Sequence, residues 1–114
     1  MFVESIELNN YRNFDSLKVE FSPGVNIFFG DNAQGKTNLL ESIYVSGTSR
    51  SHRGSRDKEL IRFGEDEAHI RLFFQKDSLS HRLDVHLKKN KNKEIEENSM
   101  QVRSSEKLLE IMKI

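Results

Sequence analysis

The sequence predicts an α/β lobe, a mixed sheet with an antiparallel β-meander and hairpin layer packed on one helix. Three observations predict it. Apolar and polar residues alternate in four short runs, the period of half-buried strands. One further run, Ile27-Phe28-Phe29, is continuously apolar and stops at a glycine-bounded loop. Apolar residues at helical spacing begin directly after that loop.

Ile6 and Leu8 flank Glu7 and mark a first strand; Leu17, Val19 and Phe21 mark a second. Ser22-Pro23-Gly24 reads as a turn, since proline presets one dihedral and glycine accepts a positive φ. Val25, Ile27, Phe28 and Phe29 then form a third strand, buried on both faces. A helix follows over 37–45, with Leu39, Leu40, Ile43 and Tyr44 on one face and Gly47 as its stop. The polar, cationic stretch 46–56 reads as a loop. Asp57 is positioned to cap a short helix holding Leu60 and Ile61, ended by Gly64. Ile70, Leu72 and Phe74 alternate, as do Leu83, Val85 and Leu87, with Asp77-Ser78 between them; this predicts an antiparallel hairpin. Residues 88–98 read as a turn and a solvated edge strand around Ile95. Ser104 or Ser105 caps a last amphipathic helix with Leu108, Leu109 and Met112.

The 114 residues suffice for one domain with a modest core. Net charge is zero, so bulk charge argues neither for nucleic acid nor for membrane, and any basic surface is local. There is no cysteine, hence no disulfide framework and no thiolate chemistry, which suits a reducing compartment. No run approaches the roughly 20 apolar residues of a membrane span, and the N-terminus lacks the pattern of a secretory signal. A soluble cytoplasmic protein with no membrane partner is the expectation.

Gly30-Asp31-Asn32-Ala33-Gln34-Gly35-Lys36-Thr37 matches G-x-x-x-x-G-K-[ST], between a buried strand and a helix as that motif requires. Gly30 lets the chain turn off the strand, and Gly35 lets backbone approach a phosphate with no Cβ in the way. Successive N–H groups then form a nest for phosphate oxygens, next to the positive end of the helix dipole. Lys36 is placed to reach β- and γ-phosphates, and Thr37 offers a hydroxyl to Mg²⁺. The fold class is therefore that of a P-loop NTPase, with ATP and Mg²⁺ as expected cofactors. The plain alternative is a strand–helix turn with a surface lysine.

Three stretches in order carry a resemblance: Leu8 to Phe14 (L-N-N-Y-R-N-F), Ile27 to Tyr44, and Thr48 to Arg53 (T-S-R-S-H-R). Together they resemble the start of bacterial RecF proteins, DNA-repair ATPases built like the heads of SMC and Rad50-type proteins. The resemblance covers residues 1–75 and loosens beyond about 85. It implies a head-type lobe, ATP-dependent homodimerisation and binding of gapped, single-stranded or junction DNA. It further implies work with RecO and RecR in loading the RecA recombinase. Residues 30–37 match the family's phosphate loop, and Asn38 and Glu41 its helix start. Arg12 and Asn13 match a segment that lies against the nucleotide in related heads. There a guanidinium pairs with phosphate or stacks on adenine; the plain alternative is a surface arginine at a strand end. Arg50, His52 and Arg53 match a stretch placed at DNA phosphate or a dimer interface; the alternative is a solvated loop.

Two parts of a head-type ATPase are missing from this sequence. No Asp-Glu follows an apolar strand: Asp66-Glu67 follows Phe63-Gly64-Glu65, and Asp84 follows a single leucine. Leu79-Ser80-His81-Arg82 lacks the glycine of a signature motif. Residues 1–114 are thus expected to be one N-terminal ATP-binding lobe of a larger ATPase. This lobe has no catalytic residue of its own and no appreciable turnover alone. Two other functions compete: the start of an overcoming-lysogenisation-type ATPase-nuclease, and a non-catalytic DNA- or protein-binding module. Asn90-Lys91-Asn92-Lys93 lacks the aspartate of a guanine-specificity motif and reads as a solvated loop. His69, His81 and His86 match no metal-ligand spacing, and His81 and His86 fall on opposite strand faces.

Overall fold

The computed structural model describes residues 2–21, 33–48, 51, 54–98 and 100–102. The expected strand over 25–29, the loop positions Gly30, Asp31 and Asn32, the cationic residues Arg50, His52 and Arg53, and the last helix lie outside the described residues.

Among the described residues, six strands form one antiparallel sheet: β1 (Phe2–Tyr11), β2 (Phe14–Glu20), β3 (Glu67–Lys76), β4 (Leu79–Lys88), β5 (Glu94–Glu97) and β6 (Met100–Val102), in the order β2-β1-β3-β4-β5-β6. Between β2 and β3 the described residues form α1 (Ala33–Thr48) and the short α2 (Asp57–Leu60). The α/β class and the antiparallel layer against the glycine-loop helix agree with the sequence.

Register follows from the alternating pattern. Leu17, Leu8, Ile70, Val85 and Ile95 form one cross-strand row, and Val19, Ile6, Leu72 and Leu83 a second. Because side chains alternate with period two, both rows fall on one face. Ile6, Leu8, Ile70, Leu72, Leu83 and Val85 are buried there. Against that face α1 packs over β3 and β4. The opposite face is polar: Arg71 pairs with Asp84 at 2.6 Å, Arg82 with the same carboxylate at 2.9 Å, and His69 stacks on its cross-strand partner His86 at 4.1 Å. Burial and the neighbouring His86 lower the His69 pKa. Exposed ion pairs of this kind add about 0–1 kcal/mol each.

The β3–β4 turn holds Asp77 and Ser78 at φ 52° and 65°, the two positive dihedrals of a hairpin turn that right-twisted strands favour. That hairpin is as expected. Five details differ from the sequence reading. Helix α1 begins at Ala33 and runs through Gly47 to Thr48, so Gly47 is no stop. On α1, Leu39 is buried, but Leu40 and Tyr44 are exposed. Helix α2 is preceded by Arg56, whose backbone N–H donates to the Glu59 carboxylate at 3.0 Å; Asp57 instead accepts from Lys93 at 2.8 Å. Ile61 leaves the helix to bridge to Tyr11, and Ile95 is buried because β6 covers the outer edge of β5.

Leu72→Ala, in the centre of the buried face, is expected to cost about 2–5 kcal/mol in urea unfolding. Leu79→Ala, at an exposed hairpin position, should stay within about 0.5 kcal/mol of wild type.

Candidate functional site

Helix α1 buries a polar side. Asn38, Glu41, Ser42 and Ser46 are buried along with Leu39 and Val45. Two of the serines satisfy themselves locally: Ser42 Oγ donates to the Leu39 carbonyl at 2.6 Å and Ser46 Oγ to the Ser42 carbonyl at 2.9 Å. Asn38 and Glu41 instead reach other elements.

Glu41 is fully buried. Its Oε1 accepts from Tyr11 Oη at 2.8 Å and from Arg12 Nε at 2.9 Å. Its Oε2 accepts from Arg12 Nη2 at 2.9 Å and from Ser51 Oγ at 2.5 Å. Arg12 thus forms a two-pronged fork on one carboxylate, and its Nη2 also donates to Ser55 Oγ at 2.9 Å. One buried carboxylate therefore joins α1, the β1–β2 turn and the segment 51–55. Burial alone pushes the Glu41 carboxyl up; hydrogen bonds from Arg12, Ser51 and Tyr11 outweigh it and bring it to about 2. The same bond raises the Arg12 pKa above its ordinary value against the pull of desolvation.

The β1–β2 turn is equally constrained. Arg12 sits at φ 54°, a left-handed conformation that costs a non-glycine residue about 1 kcal/mol or more. Its backbone N–H donates to the Leu60 carbonyl at 2.7 Å, and Asn13 Oδ1 accepts from Asn38 Nδ2 at 2.9 Å. Asn13 is thereby fastened to α1 at the residue after Thr37, and Arg12 one turn further on, at Glu41. Arg12, Asn13 and Asn38 line a cleft of about 1020 Å³ together with Lys58 and Glu59 of α2, residues 61–65 and Lys89.

Of the sequence-predicted residues, the structure places Ala33 to Thr37 in the first turns of α1 and Arg12 and Asn13 on the β1–β2 turn, where Asn13 bonds to Asn38, the residue after Thr37. The guanidinium of Arg12 is engaged by Glu41, so it is no loose surface arginine; its Nη1 makes no hydrogen bond among the described residues. Sequence reasoning gave Glu41 no role and missed Tyr11, Ser51, Ser55 and the cleft residues 58, 59, 61–65 and 89. The available signal was Glu41 itself, an acid three and four residues from Asn38 and Val45 on one helical face. Among the described residues no cluster of three His, Asp or Glu side chains is arranged to hold a metal, and no helix is long and apolar enough to cross a membrane.

A phosphate-loop helix start, an antiparallel sheet beneath it and a cleft beside it define a P-loop ATPase head lobe. The chain belongs to the AAA-domain family, whose profile matches residues 5–113. Over all 114 residues it is 53% identical to the DNA replication and repair protein RecF of Lachnospira eligens, covering 31% of that protein. It is 50% identical to RecF of Agathobacter rectalis, covering 32%. The match is to the N-terminal part of RecF, and the chain spans about a third of the length of these curated relatives. Among solved structures, the recombination mediator RecF-ATPrS of the RecFOR pathway superposes with TM-score 0.89 and 37% identity, over 95% of this chain and 29% of that one. The SMC head domain from Thermotoga maritima shares the fold at 21% identity and TM-score 0.74, over 99% of this chain and 41% of that one.

The Glu41 carboxyl takes its proton near 4.5 when unfolded and near 2 when folded. Its contribution to stability is therefore full above about pH 4.5 and is lost as pH falls toward 2. Urea midpoints measured from pH 7 to 2.5 should fall across this window in the wild type. Glu41→Gln should start lower at pH 7 and decline less steeply there.

Proposed function

We propose that this chain is the ATP-binding lobe of a RecF-type recombinational DNA-repair ATPase, with residues 1–114 forming one lobe. The observation that carries the proposal is the fastening of Asn13 and Arg12 to Asn38 and Glu41 of α1, on a chain whose 114 residues all align with RecF. ATP lies with its phosphates on Gly30, Asp31, Asn32, Ala33, Gln34, Gly35, Lys36 and Thr37, and with Arg12 and Asn13 beside it.

The residues of this chain supply position and charge. The first turn of α1 has N–H groups without intrahelical partners, and its dipole favours an anion there. Lys36 offsets the β- and γ-phosphate charge. Arg12, held by Glu41, keeps Nη1 available for the nucleotide. The donor set suits Mg²⁺: Thr37 offers one hard oxygen, and this ion keeps most of its ligands as water and phosphate oxygen. When bound, Mg²⁺ neutralises charge on the phosphates. An acid for activating water and a serine-rich signature motif are absent from this sequence, so appreciable turnover is assigned to the longer protein.

In that longer protein the lobe serves ATP-dependent homodimerisation and binding of gapped, single-stranded or junction DNA. It works in the cytoplasm with RecO- and RecR-type partners to load RecA. Arg50, His52 and Arg53 are assigned to DNA phosphate or to the dimer interface. The relatives, a DNA replication and repair protein and a recombination mediator of the RecFOR pathway, support this reading.

Thermal unfolding with and without Mg-ATP tests the site. ATP at 100 times its dissociation constant should add about 2.7 kcal/mol, several degrees in Tm. Lys36→Ala should abolish the shift. A shift of equal size in that variant would refute the phosphate site. In a turnover assay the chain alone should release no more phosphate than its Lys36→Ala variant; release that this substitution abolishes would refute the assignment of turnover to the longer protein.

A further inference from the structure

An exposed aromatic ring beside a cleft offers a face that a planar ligand can cover. Phe63 is such a ring: its relative exposure is 101%, and it lines the same cleft as Arg12, Asn13 and Asn38. Its backbone is held there. The Glu65 N–H donates to the Arg62 carbonyl at 3.0 Å, closing a tight turn over Phe63 and Gly64. Gly64 has φ 89°, the positive dihedral that the third position of such a turn requires. The Arg62 N–H donates to the Asn10 carbonyl at 2.7 Å, and the Lys89 N–H to the Asp66 carbonyl at 3.0 Å, so the turn is tied to β1 on one side and to the end of β4 on the other.

Charge is segregated around the same ring. Arg12, Lys18, Arg56, Arg71, Arg82, Lys88 and Lys93 all have an acidic partner. Lys58, Arg62 and Lys89 line the cleft and make no ion pair among the described residues. Glu59, also lining the cleft, is engaged by Arg56, which leaves Glu65 as the opposing acid. An exposed aromatic face in a cationic surround suits a planar ring attached to an anion.

We infer that Phe63 is the platform on which the base of the bound nucleotide stacks. The inference rests on the phosphate site proposed above: with phosphates at the start of α1, the nucleoside extends past Asn38 into the cleft that Phe63 also lines and meets its ring there. The cleft exceeds what a nucleoside fills, so the base is held by its face, and Lys58, Arg62 and Lys89 draw the anionic ligand in.

The ring touches no core, so Phe63→Ala should fold and melt as wild type does, and binding can be read directly. Calorimetry with Mg-ATP and with inorganic tripolyphosphate, which has no base, separates the two claims. Phe63→Ala should weaken ATP about 5- to 150-fold, the range for loss of one base–aromatic stack. Tripolyphosphate affinity should be unchanged, and Phe63→Trp should restore ATP. Unchanged ATP affinity in Phe63→Ala overturns the platform, and so does equal weakening of both ligands. Unchanged ATP affinity with weakened binding of an oligo-dT strand would reassign the ring to single-stranded nucleic acid. Loss of both ligands in Lys36→Ala supports the phosphate site independently. Wild type that binds neither ligand would overturn the phosphate site and the platform with it.

Discussion

The carboxylate of Glu41 is the constraint on which the site depends. A buried charge is costly unless it is paired and its remaining lone pairs are filled. Glu41 meets that condition through Tyr11, Arg12 and Ser51, which come from a strand, a turn and a segment beyond the helix. A buried ion pair is a weak source of net stability, because desolvation offsets most of the attraction. What it supplies is position. Every donor must be where it is, or the charge is left bare. The helix that starts at the phosphate loop and the turn that bears Arg12 and Asn13 are locked together by one group.

The sheet makes that lock possible. Two apolar rows crossing successive strands fix register, since a slip of one residue would move each row to the solvent face. With register set, the β1–β2 turn arrives over the second turn of α1, and the left-handed backbone of Arg12 is held by its bond to Leu60 as well as by the fork on Glu41. The polar outer face contributes little energy. The SMC head from Thermotoga maritima has the same backbone at 21% identity, which fits a framework specified by apolar pattern more than by particular side chains.

The cleft shows a division between rigid and available groups. Arg12 is mostly committed to Glu41 and Ser55, with Nη1 unbonded among the described residues. Lys58, Arg62 and Lys89 make no ion pair among the described residues, and the turn that bears Phe63 is held by backbone bonds. Groups fixed in advance lose little entropy when a ligand arrives.

By itself the sequence determined the local features: the antiparallel hairpin with its Asp77-Ser78 turn, the alternating strands, and a phosphate loop opening a helix. These depend on period and on backbone preference, which neighbours in the chain set. It placed Arg12 and Asn13 near nucleotide only through family resemblance. Which face of α1 is buried was decided by tertiary structure. Leu40 and Tyr44 suit an apolar stripe by spacing, yet the sheet takes Asn38, Glu41, Ser42 and Ser46, because their partners lie 25 to 30 residues away in sequence for Asn38 and Glu41, or within the helix itself for the serines. Ile95 looked like an edge residue until β6 covered it. The role of Glu41 and the cleft lining at 58–65 were likewise invisible, since a buried carboxylate is recognised by the donors that converge on it, and convergence exists only once the chain has folded.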